Sequence, residues 1–461
     1  MTHTIWIDVE DLFEYALTRA RPSGIQRLSF QLYQALHERD AGAGRVRFVR
    51  HAPFAASFRR VEWPEIARAF ANLAEGPAPS PVAAPRAPGR LRLLARRRLH
   101  ALPAQLRLAI IDMALAGIAS ASALRRLAGA MPRAMLQAGS HLAGQIGQRA
   151  RHRNNAMAGS AAPGDVILVL GSPWSHPGYA AMIRAYRERH GVGFALLVYD
   201  LIPLRRPEWC DAGLTRMFHA WFHTVFPLSD HVFAISRSTA AEVQAYAVER
   251  GMTLPRPVIT LPMGSATPSM PPGHTARLPP SGSYALIVST IEARKNHHLL
   301  FRVWRRLLDE LPREDVPTLV FAGQVGWLVD DLMRQIANTG NLDGKLSVID
   351  SPTDSEVAAL YAGCLFTLFP SYHEGWGLPV SESLAAGKPC LISNATSLPE
   401  AGGTLARMFD PDDASQAYDL IRDTILDPAG LAEWEARVRR EFRPVPWSVT
   451  ADALLAGLGV T

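Results

Sequence analysis

Short apolar runs and helical spacings alternate along most of the chain. Residues 4–8 alternate with a β-branched bias and read as a strand; an acidic stretch and Arg21-Pro22-Ser23-Gly24 follow, and Ile25, Leu28, Leu32, Ala35 and Leu36 then recur at helical spacing. A second strand is expected over 45–50. The pattern continues as strand 165–170, helix 179–189, strand 193–199, helix 208–226, strand 231–235, a helix from Thr239, and strand 258–261. A second series opens with strand 284–289 and a helix that puts Leu299, Leu300, Val303, Trp304, Leu307, Leu308 and Leu311 on one face. Strands at 318–322, 347–350, 365–369 and 389–393 come next, and 434–457 is helical in composition, interrupted by Pro444 and Pro446. Alternating β and α elements predict an α/β fold of parallel sheets covered on both faces. Proline-rich stretches at 77–88 and 262–280 punctuate it as linkers.

A chain of 461 residues exceeds one ordinary core. The expected division is a first domain over 1–271, carrying an insertion at about 77–159, a second over 282–443, and a terminal segment over 444–461. With 48% hydrophobic and 20% charged residues the composition is that of a soluble globular protein. Cys210, Cys364 and Cys390 are widely spaced, odd in number and match no metal-ligand pattern, which fits a reducing cytoplasm. No secretory signal and no transmembrane segment are read from the sequence.

Charge changes the picture at one place. Residues 86–153 hold 13 Arg and no Lys against the single acid Asp112, a net +12 in a chain of +6, so the remainder carries −6. No nucleic-acid motif accompanies this segment, and nucleic acid is not an expected partner. An anionic membrane surface is, because 106–124 is apolar and rich in small residues, though broken by Arg107 and Asp112 and short of a spanning helix. The alternative is an Arg-rich helical insertion packed on its own protein.

The chemistry concentrates in Ser371-Tyr372-His373-Glu374-Gly375-Trp376-Gly377-Leu378-Pro379-Val380-Ser381-Glu382, running on to Gly387. The apolar strand ends at Pro370, and helical spacing starts near Pro379 and stops at Gly387, with proline suited to a first helical position and glycine to the position past the end. The loop between them, glycine-bracketed at a strand end, can bring backbone N–H groups to an anion. Glu374 lies on that loop and Glu382 one turn into the helix on the same side, so one ligand can touch both. Carboxylates beside a phosphate are best used as acceptors from hydroxyls, which points to a sugar carrying a phosphate. Upstream, Ile291-Glu292-Ala293-Arg294-Lys295-Asn296 sets adjacent cations at a strand-to-helix loop, a planar fork and a point charge for a diphosphate. The chain has only three lysines, at 295, 345 and 388, so this one is not a casual surface choice.

The stretch from Glu374 to Glu382, with the glycines and Leu378-Pro379, resembles the paired-glutamate motif of retaining glycosyltransferases of the GT-B fold, family 4. The wording of 291–296 resembles mannosyl- and rhamnosyltransferases most. The resemblance spans nearly the whole chain outside 77–159 and implies two Rossmann-like, doubly wound domains facing a central cleft, with the Arg-rich helical insertion in the first. The terminal segment would return to the first domain. It further implies a nucleotide-diphosphate sugar as donor, no metal and no cofactor, and a glycan or lipid-linked glycan as acceptor in bacterial polysaccharide assembly at the inner face of the membrane. GDP-mannose is the first expected donor. Donor-binding residues carried over are Arg294, Lys295, Glu382, Gly375, Trp376, Gly377 and Leu378, with Gly323 and Thr353 near the base. Glu374 and Asp200 are the expected catalytic groups, Asp200 standing at a strand end where it would otherwise cap a turn. Relatives have His before that Asp; here it is Tyr199, a candidate hydroxyl donor to ligand, and Gly24 would let backbone approach acceptor or donor phosphate. Ser238 is read as the cap of the helix that follows. A nucleotide-sugar epimerase and a catalytically silent scaffold are the alternatives; the complete set Arg294, Lys295, Glu374 and Glu382 argues against the scaffold.

Overall fold

The alternation closes into two sheets. The computed structural model describes residues 3–18, 21–40, 43–52, 57–74, 156–176, 178–265 and 277–459, and the segment 86–153 lies outside them. The first sheet is built of β1 (Ile5–Asp8), β2 (Val46–His51), β3 (Phe58–Val61), β4 (Val166–Val169), β5 (Gly193–Val198), β6 (His231–Ala234) and β7 (Ile259–Thr260), in the order β3-β2-β1-β4-β5-β6-β7. All its pairs are parallel except β2 with β3. The second contains β8 (Tyr284–Val288), β9 (Thr318–Ala322), β10 (Leu346–Ile349), β11 (Thr367–Phe369), β12 (Cys390–Ser393) and β13 (Arg407–Phe409), all parallel, in the order β10-β9-β8-β11-β12-β13. Both sheets belong to one compact unit formed by 1–78 and 160–461.

The helices of eight residues or more are α1 (Glu10–Thr18), α2 (Gly24–Arg39), α3 (Trp63–Ala74), α4 (Tyr179–His190), α5 (Ala212–Val225), α6 (Arg237–Glu249), α7 (His297–Glu310), α8 (Asp330–Asn338), α9 (Asp354–Gly363), α10 (Leu378–Ala385), α11 (Ala414–Leu426), α12 (Pro428–Glu441) and α13 (Trp447–Gly457). Successive residues of β8 face opposite ways: Ala285 and Ile287 join a core with Leu300, Trp304 and Leu384, while Tyr284 and Leu286 join another with Leu360 and Tyr361. The second sheet is therefore covered on both faces, as its unbroken apolar strands require. α13 returns to the first domain. Ala451, Leu454 and Leu458 enter the core of Ile5, Leu32 and Leu36, Thr450 Oγ1 donates to the Pro262 carbonyl at 2.7 Å, and Arg39 Nε meets Asp452 at 2.7 Å.

Some elements differ from the sequence reading. The single helix expected over 208–226 is a short turn, Pro207–Trp209, followed by α5, because Asp211 stops the first and caps the second, accepting from the N–H groups of Gly213 and Leu214. The cap of α6 is Ser236 rather than Ser238: its hydroxyl accepts from Thr239 N at 2.9 Å. The strands β3 and β13 and the helices α1, α3, α8, α9 and α11 were not expected.

In the second sheet the strand order reverses between β8 and β11, and in the first between β1 and β4. Open α/β sheets hold ligands in the crevice outside the carboxyl ends of strands at such reversals. The loop carrying Arg294 and Lys295 follows β8, and the loop carrying Glu374 follows β11.

Candidate active site

Three of the charged residues singled out in the sequence meet at that crevice. Glu374 Oε2 accepts from Arg294 Nη1 at 2.9 Å, and its Oε1 accepts from Lys295 Nζ at 2.5 Å. A second acid, Glu292, is buried and holds the other face of the guanidinium, Arg294 Nη2 donating to its Oε1 at 2.6 Å. Arg294 is further fixed by donating to the His373 carbonyl at 2.6 Å, while its own carbonyl accepts from Tyr372 N at 3.0 Å. Burial disfavours the charged form of Glu374, but the cations of Lys295 and Arg294 overcome it and hold the carboxyl at about 2. Burial likewise opposes the Arg294 charge, and Glu374, Glu292 and Asp200 together raise its pKa. The Glu374 loop is pinned from β12: Thr396 Oγ1 accepts from Glu374 N, and Ser397 Oγ donates to the carbonyls of Glu374 and Trp376.

Gly375 and Gly377 are needed for this course of the chain. A Cβ on Gly375 would stand 2.1 Å from the Tyr199 carbonyl oxygen at the end of β5, so only glycine lets the loop of one sheet touch the strand end of the other. Gly377 turns at φ 101° into α10, with Leu378 and Pro379 in the first helical turn. The Trp376 indole N–H donates to Ser381 Oγ at 3.2 Å, and its ring packs on both domain cores; Leu378 reaches the first.

Glu382 lies apart from the ion-paired group. Tyr361 donates to its Oε2 at 3.1 Å; burial raises its pKa, against the pull of Arg27 and of the Tyr361 hydroxyl. Arg27 comes from α2 of the first domain, and its fork grips Asp354 at 2.6 and 3.1 Å. Gly24, one turn earlier, opens α2 with empty space around the position of a Cβ. Gly323, at φ 155°, is pressed on the Ser289 carbonyl at the end of β8.

Other expected residues are differently engaged. The Tyr199 hydroxyl donates to the Leu170 carbonyl inside the first domain, so it is not offered to a ligand. Asp200 Oδ1 accepts from Ile202 N at 3.0 Å, which is the turn-capping use; burial raises its pKa, while Arg294 across the cleft lowers it. Thr353 caps α9 in a reciprocal box with Glu356, and Arg277 holds that glutamate at about 2. Glu400 accepts from the backbone N–H groups of Arg237 and Ser238 at 2.9 and 2.8 Å, capping α6 of the other domain. Glu292, Thr396, Ser397 and Tyr361 were missed because they come from three separate places, the loop after β8, the loop after β12 and the helix α9, which only the fold brings together. Only Glu292, inside the Arg-Lys stretch, carried a local signal. Among the described residues no group of His, Cys, Asp or Glu is arranged to hold a metal ion, and no helix is long and apolar enough to cross a membrane.

Two parallel-sheet domains with this crevice have the GT-B fold. Residues 276–441 match the family of glycosyl transferases group 1. Over 284 residues the chain is 28% identical to the serotype-specific mannosyltransferase WbdA of Escherichia coli, covering 59% of this chain and 34% of that one. It is 32% identical over 164 residues to the O-antigen chain mannosyltransferase B of Escherichia coli, covering 36% of this chain and 42% of the relative. The chain thus spans about a third to under half of the length of these relatives. In fold it is similar to Anabaena Alr3699/HepE, solved in complex with UDP and glucose, at a TM-score of 0.54 and 13% identity over 100% of both chains.

Proposed function

We propose that the chain transfers a hexose from a nucleotide-diphosphate sugar to a glycan or lipid-linked glycan in bacterial polysaccharide assembly, with retention at the anomeric carbon and without metal. Mannose from GDP-mannose is the proposed donor. The observation that carries the reading is the ion-paired group Arg294, Lys295 and Glu374 at the strand-order reversal, beside the N-terminus of α10. The mannosyltransferase names of the relatives support the sugar.

In this reading the diphosphate lies against Lys295, Arg294 and the α10 N-terminus, which stabilise the charge that develops as the C1–O bond to phosphate breaks. Lys295 uses one of its three N–H bonds on Glu374 and turns the others to phosphate. Glu374, which accepts from Arg294, Lys295 and Ser371, keeps acceptor capacity for a sugar hydroxyl, and its charge favours a positive anomeric centre. The acceptor hydroxyl attacks C1 on the face the phosphate leaves, and its proton passes to the departing phosphate oxygen. Glu382, beside Tyr361, accepts from the ribose hydroxyls.

A thermal-shift screen of GDP-mannose, UDP-glucose, UDP-N-acetylglucosamine and dTDP-rhamnose, followed by transfer assays with a mannoside acceptor, tests this. GDP-mannose should raise the melting temperature most, since binding to the native state stabilises by mass action. Free epimerised sugar formed without acceptor would instead make the chain an epimerase. We also propose that 86–153 makes a peripheral contact with anionic lipid, at about 1 kcal/mol per basic residue near the surface. Equal flotation of intact and deleted protein with anionic liposomes at low salt would remove that proposal.

A further inference from the structure

The loop between β9 and α8 exposes three apolar side chains in a row of four: Val325, Trp327 and Leu328 are 38%, 43% and 59% exposed. Leu328 sits at φ 58°, a conformation costly for a branched apolar residue and held only where the surroundings impose it. The loop is anchored on both sides. Ile291 bridges Val325, and Gly326 N donates to the Ile291 carbonyl at 2.9 Å, tying it to the stretch that carries Arg294 and Lys295. On the far side the Trp327 indole N–H donates to the Trp209 carbonyl of the first domain at 2.7 Å. Trp209 is half-buried and already engaged, with Arg206 over its ring at 4.0 Å and Tyr372 stacked on it at 5.5 Å, so it serves as a support. Trp327 is the reverse case, an indole fixed through its nitrogen and 43% open to solvent. The loop that supports it carries the exposed Arg206–Glu208 pair, with 2.7 Å between Arg206 Nε and Glu208 Oε1.

A rigid aromatic face flanked by planar polar groups is what a pyranose needs: its C–H face lies on the ring, and its edge hydroxyls bond to carboxylate and guanidinium. An aromatic held by its own N–H loses little freedom when it is covered. We infer that Trp327, with Arg206 and Glu208, forms a subsite for a sugar unit of the acceptor glycan next to the unit that receives the transferred hexose. The subsite rests on the proposed transfer to a glycan. It gives the enzyme a preference for acceptors longer than one sugar.

The test uses mannotriose and methyl α-mannoside with the full chain. Isothermal titration should show mannotriose binding that weakens about tenfold in Trp327→Ala, while Trp327→Phe, which keeps an aromatic face, retains most of it. With GDP-mannose as donor, the ratio of kcat/KM for mannotriose to that for methyl α-mannoside should fall by a similar factor in Trp327→Ala, through KM. The inference is overturned if wild type does not bind mannotriose, if Trp327→Ala binds it as wild type does, if Trp327→Phe is as weak as Trp327→Ala, or if both acceptors suffer equally. Trp327-dependent binding of mannotriose without any transfer would sink the proposed donor and leave the subsite standing.

Discussion

Glu374 and Glu382 share one loop and helix yet sit in opposite surroundings, the first held at about 2 by two cations, the second pushed up by burial beside a tyrosine. Glu374→Gln removes the charge that meets Lys295 and Arg294 while keeping the shape. Turnover should fall about ten- to a hundredfold, the worth of a charge-assisted hydrogen bond, while the affinity for free nucleoside diphosphate is not weakened. Glu382→Ala should instead weaken donor and free diphosphate together, by about tenfold, read by titration calorimetry. The reverse result would exchange the two roles. Acid should also withdraw the stabilisation of two buried groups in turn. Burial, with Lys295 nearby, lowers the His297 pKa from 6.5 to about 3, so the unfolded chain binds a proton there before the folded one does. Its stabilisation is complete above about 6.5 and is lost as pH falls towards 3. Glu374, lowered from 4.5 to about 2, adds a loss that begins below about 4.5. Asp11, pushed up to about 6 by burial, works in the opposite direction between about 6 and 4, so the check is a difference: the loss of urea midpoint from pH 6.5 to pH 3 should be smaller in His297→Gln than in wild type.

At the scale of elements, legibility followed the hydrophobic pattern. Most of the parallel strands read directly because short apolar runs bounded by turn residues have few other solutions; β13, three residues of which two are exposed, did not. β3 did not, since Phe58-Arg59-Arg60-Val61 is half arginine and lies at a sheet edge, where charge is tolerated. The α10 loop was recognisable from its glycines and Pro379, but not the reason for Gly375, which is a carbonyl from another domain 176 residues earlier. Asp200 and Thr353 stood at strand ends as expected, yet their side chains serve local turns, an outcome that sequence spacing leaves open. Gly375→Ala should force the loop and β5 apart. Overpacking of this kind costs about 1–3 kcal/mol, and the loss should appear as a raised donor KM with the melting temperature lowered by only a few degrees.

At the scale of the molecule, the two sheets are tied by paired groups rather than by a shared strand. Arg27 grips Asp354, Arg21 donates to the Pro352 carbonyl at 2.7 Å, and Glu400 caps α6. The Arg27 and Asp354 side chains are 40% and 51% exposed, so the pair is worth about 0.2–1 kcal/mol. Arg27→Asp should lower kcat/KM for donor about two- to fivefold or more at low salt, since it also sets two like charges face to face, and the swap Arg27→Asp with Asp354→Arg should recover most of it. No recovery would mean that Arg27 acts other than through Asp354. The four residues Arg294, Lys295, Glu292 and Glu374 carry two charges of each sign. This group of four therefore brings no excess positive charge with which to attract the abundant anions of a cell. Inorganic phosphate offers negative oxygens but no hydroxyl-bearing group to occupy Glu374, and should be a poor inhibitor at millimolar concentration. Only a molecule that supplies an anion to the cations and hydroxyls to the acid repays both halves of the pair it divides, so the empty site screens out competitors before any base or sugar is read.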